Sequence, residues 1–318
     1  MKSILYLVVP CYNEEEVLHE TSRQLKTKIS SMIQSGAISE NSKIMFVNDG
    51  SKDKTWEIIK ELHDNDPLFS GVNLAKNCGH QHALLSGLMT AKDYADIVIS
   101  LDADLQDDVN AINLFVDKYH EGFDIVYGVR SSRTTDTWFK RNTALAFYKF
   151  QSLMGINSVY NHADYRLMSK RALEGLAEFK EVNLFLRGMI PLIGYPSTTV
   201  DYVRNERFAG ESKYPLKKML AFAWNGITSF SVKPIRFLTG MGISIFFVSL
   251  AIICYSLIRR FLGYTVPGWT FLACSMWLLG GIQLLGLGIV GEYIGKIYSE
   301  VKGRPRYLVE ELLNETNR

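Results

Sequence analysis

Four carboxylates crowd into seven residues at 102–108, DADLQDD, directly after the apolar run Ile97, Val98 and Ile99. A buried strand that ends in so much negative charge is either closing into a solvated turn or facing a cation. If the chain stays extended, Asp102, Asp104 and Gln106 point to one side, because side chains alternate along a strand. Two carboxylates and a neutral amide oxygen suit a hard divalent cation such as Mg2+ or Mn2+. Such an ion commonly completes its shell with the phosphates of a bound molecule. Asp107 and Asp108 are expected instead at a helix N-terminus, where negative charge is favoured.

Two further polar loops follow apolar runs. In VNDGSKDKT at 47–55, Asp49 is followed by Gly50, which permits a tight turn and close approach to the backbone. A carboxylate there can accept from the N–H of a base or from ribose hydroxyls. Asp53 suits the N-cap of the helix beginning at 53. In PCYNEEE at 10–16, Pro10 ends a strand, Tyr12 offers a stacking surface and Glu14 can reach a ribose. The plainer reading of the same acids is a helix start. Asp164 and Arg166 are either functional or a buried ion pair. His80 and His82 have no further metal ligands nearby and are read as sugar-site or structural residues, not a zinc site.

The elements that must position these loops are legible as apolar runs at 4–9, 44–47, 97–101 and 124–127, with helical stretches at 14–33, 53–62 and 80–90 between them. Strands alternating with helices predict an α/β fold with a mainly parallel, Rossmann-like sheet. Ligands of such sheets bind beyond the carboxyl ends of the strands. The three polar loops all stand there.

The last third differs. Residues 237–258 and 268–291 carry no charge. The first, 22 residues long, spans ~33 Å as a helix, enough for a hydrocarbon core of about 30 Å. A transmembrane helical hairpin is expected, the alternative being two buried core helices. Lysines and arginines flank both outer ends (Lys217, Lys218, Lys233, Arg236; Lys296, Lys302, Arg304, Arg306), which predicts cytoplasmic termini. The stripe Leu216, Leu220, Ala223, Ile227 and Phe230 suits an interfacial amphipathic helix, and 137–154 carries a looser one. Glycines in the second span allow close helix packing and a homo-oligomer. The six apolar residues ILYLVV near the start are too few for a signal-peptide core. The four cysteines form no CxxC pair and are expected as free thiols. A formal charge of +2 points to no nucleic acid. The expected organisation is a cytoplasmic catalytic domain at 1–213, an interfacial helix at 214–235, the hairpin at 236–295 and a cytoplasmic tail at 296–318, loosely ordered after Lys302.

The motifs PCYNEEE, VNDGSKDKT, NCGHQHALLSGL, DADLQDD, YGVRSSR, ADYRLMSK, LRGMIPLIGY and RFAGESKYPLKK occur in this order. Together they resemble the GT-A-fold family 2 glycosyltransferases that charge polyprenyl phosphates. These are relatives of dolichol-phosphate mannosyltransferase, in the bacterial branch with two C-terminal transmembrane helices. Asn48 departs from the pattern, which usually has a second Asp there. The QxxRW motif of processive synthases is absent, consistent with single-sugar transfer.

The resemblance implies that Pro10, Tyr12, Glu14, Asp49 and Asp102 bind the nucleoside. Asp104 and Gln106, with Asp102, would hold Mg2+ or Mn2+ on the diphosphate. Arg207, Ser212 and Lys213 would clamp that diphosphate, and Arg130, Arg133 and Arg141 the acceptor phosphate. Asp164 would orient the sugar or the nucleophile. The implied reaction is inverting transfer of one sugar, from a UDP-hexose or UDP-N-acetylhexosamine, to polyprenyl phosphate at the cytoplasmic membrane face. A GDP-mannose donor, a diacylglycerol or glycan hydroxyl acceptor, or a non-catalytic membrane scaffold are the alternatives. Spans without internal charge argue against a flippase.

Overall fold

The structure is a computed structural model that describes residues 2–130, 162–203, 228, 231–262 and 268–314. Its strands are β1 (Leu5–Cys11), β2 (Lys43–Asn48), β3 (Phe69–Leu74), β4 (Ile97–Ser100), β5 (Ile125–Arg130), β6 (His162–Ser169), β7 (Ser197–Tyr202) and β8 (Val309–Leu313). The helices are α1 (Leu18–Gln34), α2 (Thr55–Asn65), α3 (His80–Ala91), α4 (Ala111–His120), α5 (Lys170–Ala177), the single turn α6 (Leu186–Met189), α7 (Lys233–Phe261) and α8 (Trp269–Val301).

The strands form one sheet in the order β7-β5-β6-β4-β1-β2-β3-β8. Central β1 pairs in parallel with β2 and β4, and β2 with β3. Both faces of this centre are covered, which explains the unbroken apolar run LYLVV. Leu5, Leu7 and Val9 enter one core with α1 and α4, and Tyr6 and Val8 the other with α3 and α5. Helix α3 lies against the sheet at Gly87, where a Cβ would come within 2.5 Å of Val8 and 2.6 Å of Val47. Only glycine fits so close an approach.

Outside the centre the sheet is mixed rather than mainly parallel. β6 runs antiparallel to both β4 and β5, and β8 antiparallel to β3. The tail expected to be loosely ordered is a correction: Val309–Leu313 forms the edge strand beside β3, and α8 extends to Val301. Leu313 packs on the core, and Glu311 accepts from Trp56 Nε1 and pairs with Lys60 on α2. Edge pairing and these anchors order a segment whose charge alone suggested a solvated tail.

The chain divides into two compact units. One comprises residues 1–148, 157–214 and 304–318; the other comprises 149–156 and 215–303. In the second unit α7 and α8 expose large apolar side chains, among them Phe237, Phe247 and Ile258 on α7 and Leu278, Leu284 and Leu287 on α8. Among the described residues one segment, Leu278–Val301, is long and apolar enough to cross a membrane, with mean hydropathy 1.4 and none of it buried. Tyr293 Oη donates to Ser231 O, and Lys296 Nζ to Thr228 Oγ1, tying α8 to the start of α7. The stripes at 137–154 and 215–232 fall outside the described residues, apart from Thr228, Ser231 and Val232. Cys11, Cys78 and Cys254 are free thiols.

Candidate active site

The acidic stretch begins where β4 stops. The strand ends at Ser100, so 102–106 is a turn rather than the continuation expected, and Leu105 takes a left-handed φ of 55°. The alternation survives the turn. Leu101, Ala103, Leu105 and Asp107 are buried, whereas Asp102, Asp104, Gln106 and Asp108 are half-buried. Asp102, Asp104 and Gln106 are thus each more open than the residues between them. Asp104 Oδ1 accepts from the Gln106 amide at 3.2 Å, which fixes the turn.

Asp108 serves helix α4 as expected, its Oδ1 accepting from Asn110 N at 2.9 Å. Asp107 does not, which is a correction. It is buried under the turn, and its Oδ1 accepts from Tyr202 Oη at 2.6 Å. The same Tyr202 oxygen accepts from Arg130 Nε at 3.3 Å. Burial raises the Asp107 carboxyl above its usual range, against the Tyr202 bond and the Arg130 charge. Among the described residues, Asp107 Oδ2 has no hydrogen-bond partner. The end of β5, the end of β7 and the acidic turn are thus joined through one phenol.

A second group of charges lies on the α3 side of the sheet. Asp164 and Arg166 on β6 form the buried ion pair that was one of the two readings of this motif, with Nη2 2.5 Å from Oδ1. Arg187 on α6 adds two bonds to the same carboxylate, at 3.2 and 3.0 Å. His80 Nε2 at the start of α3 stands 3.6 Å from Asp164 Oδ2 and 3.8 Å from Asp102 Oδ1. Burial alone would raise Asp164, but His80, Arg166 and Arg187 outweigh it and hold the carboxyl well below its usual range. Burial lowers His80, yet its contact with Asp164 and the charges of Asp102 and Asp164 raise it overall. Asp102 is pushed up to about 6, by desolvation first and by Asp107, Asp164 and Asp104, with His80 opposing.

The loop after β2 is braced against the start of α3. Both Asp49 oxygens accept backbone amides, from Cys78 at 2.7 Å and Gly79 at 2.9 Å. Asp49 is buried, and its first duty is to set this loop; each oxygen keeps a further acceptor lone pair. Gly50 has φ 61°, and a Cβ there would meet Asn77 N at 2.5 Å. No other residue fits that position without shifting the neighbouring backbone. Asp53 does hold the start of α2, with Oδ1 on Thr55 N and Oδ2 on Glu15 N, although Lys54 occupies the cap position. Tyr12 is exposed, Pro10 and Glu14 are half-buried, and the Glu14 amide donates to Thr55 Oγ1.

His80, Asp102 and Asp164 are thus brought together, with Asp104 two residues beyond and Asp49 bonded to the residues just before His80. Arg133, Arg141, Arg207, Ser212 and Lys213 lie outside the described residues. Three participants were not read as functional from sequence. Arg187 lies in the LRGM segment. Tyr202 and Asp107 make their contact across 95 residues, beyond the reach of local spacing. Among the described residues no three His, Cys, Asp or Glu side chains form a ready metal cage. The donor set fits an ion that takes one or two carboxylates and completes its shell from a bound diphosphate.

Residues 6–176 match the family described as Glycosyl transferase family 2. Over 313 residues, 98% of this chain and 93% of the relative, the chain is 56% identical to the "Uncharacterized glycosyltransferase YkoT" of Bacillus subtilis (strain 168). It is 39% identical over 310 residues to the "SfII prophage-derived bactoprenol glucosyl transferase" of Shigella flexneri, covering 96% of this chain and 97% of that protein. A "Prophage bactoprenol glucosyl transferase homolog" of Escherichia coli (strain K12) is 37% identical over 96% of this chain and 98% of its own length.

Proposed function

We propose a lipid-directed reaction for this chain, which belongs to glycosyl transferase family 2 and carries that family's mixed α/β, GT-A-like sheet: transfer of one hexose from a UDP-sugar to polyprenyl phosphate, with inversion. The observation that carries this reading is the condition of Asp164. It is tied to two arginines and a histidine and held well ionised, so its affinity for a proton is low. His80 beside it is biased toward its protonated form. A hydroxyl acceptor needs a base to remove its proton. A phosphate monoester is already largely deprotonated near neutral pH, its second pKa being about 6, and needs none. The bactoprenol glucosyl transferases among the relatives support the same acceptor class.

In this reading Pro10, Tyr12, Glu14 and Asp49 hold the nucleoside. Asp102, Asp104 and Gln106 hold Mg2+ or Mn2+, which when bound neutralises the leaving diphosphate. Arg207 and Lys213 clamp that diphosphate. Arg130, Arg133 and Arg141 take the acceptor phosphate, and Arg130 is steadied by Tyr202 and Asp107. Asp164 orients rather than abstracts: it fixes His80 and Arg187 beside Asp102. The work of the chain is to bring two anions together, which electrostatic preorganisation accomplishes. Helices α7 and α8 form the membrane hairpin, with the catalytic unit and both termini cytoplasmic. Their exposed apolar side chains support that placement.

The test of function is transfer of radiolabelled sugar from a panel of UDP- and GDP-sugars into an organic extract containing polyprenyl phosphate and divalent cation. Label enters the extract with a UDP-hexose; the absence of labelled lipid with every donor overturns the proposal. The metal reading has its own signature. A carboxyl pushed up to about 6 is about half protonated at pH 6 and ionised at pH 8. Cation binding requires the carboxylate, so it releases protons near pH 6 and almost none at pH 8. Calorimetry of Mg2+ or Mn2+ binding in buffers of different ionisation enthalpy reads this directly. Equal proton release at the two pH values contradicts it.

A further inference from the structure

Four groups link the C-terminal strand to the β2–α2 loop in a directed chain of hydrogen bonds that runs from the exposed Glu310 inward to the buried Asn48. Glu310 Oε2 accepts from Asn73 Nδ2 at 2.9 Å. Asn73 Oδ1 accepts from Asn48 Nδ2 at 2.7 Å. Asn48 Oδ1 accepts from the Ser51 amide at 3.2 Å. An ionised carboxylate can only accept and a backbone N–H can only donate. Two side-chain amides in series satisfy both ends, and each must point one way. An Asp at 48 breaks the series. It still accepts from Ser51, but it then needs a donor from Asn73. Turning the Asn73 amide to supply one sets its oxygen against Glu310.

Glu310 is placed for this role by an irregularity. Asn73 registers with Glu311 and Leu74 with Val309, so Glu310 is the extra residue of a β-bulge, a feature that re-aims side chains. Glu311 beside it pins the strand to α2 through Trp56 and Lys60. Asn48 is buried, so its amide cannot exchange its partners freely for water.

We propose that Glu310, acting through Asn73 and Asn48, is a positioning residue for the Ser51 end of the donor-binding loop. The use of this chain in donor binding rests on the nucleoside reading of the Asp49 loop above. The C-terminal strand thereby becomes part of the donor site's support.

The experiment uses the full-length protein in detergent at pH 8, with UDP and GDP as probes, and reads both nucleotide affinity by calorimetry and amide exchange of the 48–54 segment. Asn48→Asp is expected to weaken binding of the preferred nucleotide about tenfold, the scale of one unsatisfied buried polar group, and to speed exchange. Glu310→Gln alone changes affinity less than about twofold, since the Gln oxygen still accepts from Asn73. The double variant returns to within about threefold of the parent, because Gln can donate to a turned Asn73. A double variant as weak as Asn48→Asp, or an Asn48→Asp protein that binds and exchanges like the parent, overturns the proposal. Exchange that is lost and rescued while nucleotide affinity never moves leaves the hydrogen-bond chain standing. That result overturns both the positioning role and the nucleoside reading of the loop.

Discussion

Asp164→Asn is expected to cost about 3–5 kcal/mol of folding stability, the usual penalty for removing one partner of a buried ion pair. Arg166 is 1% exposed, and Asp164 is the carboxylate it pairs with directly. Neutralising it strands that guanidinium, whose Nε and Nη1 have no partner among those residues, and leaves Arg187 beside it without its carboxylate. Denaturant unfolding of the variant measures the loss. The sign with pH follows from linkage. A carboxyl held below its usual value stabilises the fold above the unfolded pKa of about 3.9, and that stability is lost as pH falls through the lower folded value. The carboxyl's own part of the difference between parent and variant should therefore be constant from pH 5 to 8 and shrink in stronger acid, while loss of the contact that raises His80 adds a part that is full below the unfolded histidine pKa of about 6.5 and fades as pH rises through the higher folded value. A loss below about 1 kcal/mol at pH 7 would contradict the account of the cluster, since exposed pairs are worth no more than that. The folded fraction of the variant should also transfer sugar poorly, because His80 and Arg187 lose their common anchor.

Asp104→Asn should do the reverse, leaving the fold intact and removing activity. Asp104 is half-buried, and its Oδ1 accepts from the Gln106 amide, a bond that an Asn oxygen can keep. What changes is charge at the open side of the turn. Loss of one electrostatic element of this kind typically lowers turnover about 10²–10³-fold. The unfolding midpoint should match the parent. Activity should recover in part at high Mn2+, because weakened binding is offset by concentration. Parental activity at limiting metal would remove Asp104 from the site.

Much of this was legible in the chain. The apolar runs before Pro10, Asp49 and Asp102 placed three polar loops at strand ends, and the structure has strands ending at Cys11, Asn48 and Ser100. Alternation in the sequence recurs as alternating burial from Leu101 to Asp108, in a turn that is not a strand. What escaped was carried by tertiary pairing. FSGVNL has weak strand propensity because Gly71 is forced by Trp56 and Ile59, and pairing with β2 on one side and β8 on the other makes it a strand. HADYRLMS looks polar, yet Asp164, Arg166 and Ser169 are buried, the first paired with Arg166 and Arg187 and the last with Asp124. The tail looked solvated because the partners of Glu310 and Glu311 lie more than 200 residues away. Asp107 looked like a helix-start acid, since nothing local announces Tyr202.

The central claim is that this site serves an acceptor that arrives already ionised. It is tested by offering polyprenyl phosphate and unphosphorylated polyprenol of the same chain length, side by side, to the full-length protein with a UDP-sugar and Mg2+. The account predicts labelled lipid from the phosphate and none above background from the alcohol at neutral pH. Transfer to the alcohol at a comparable rate would contradict it, because a hydroxyl acceptor requires a general base and the account assigns none.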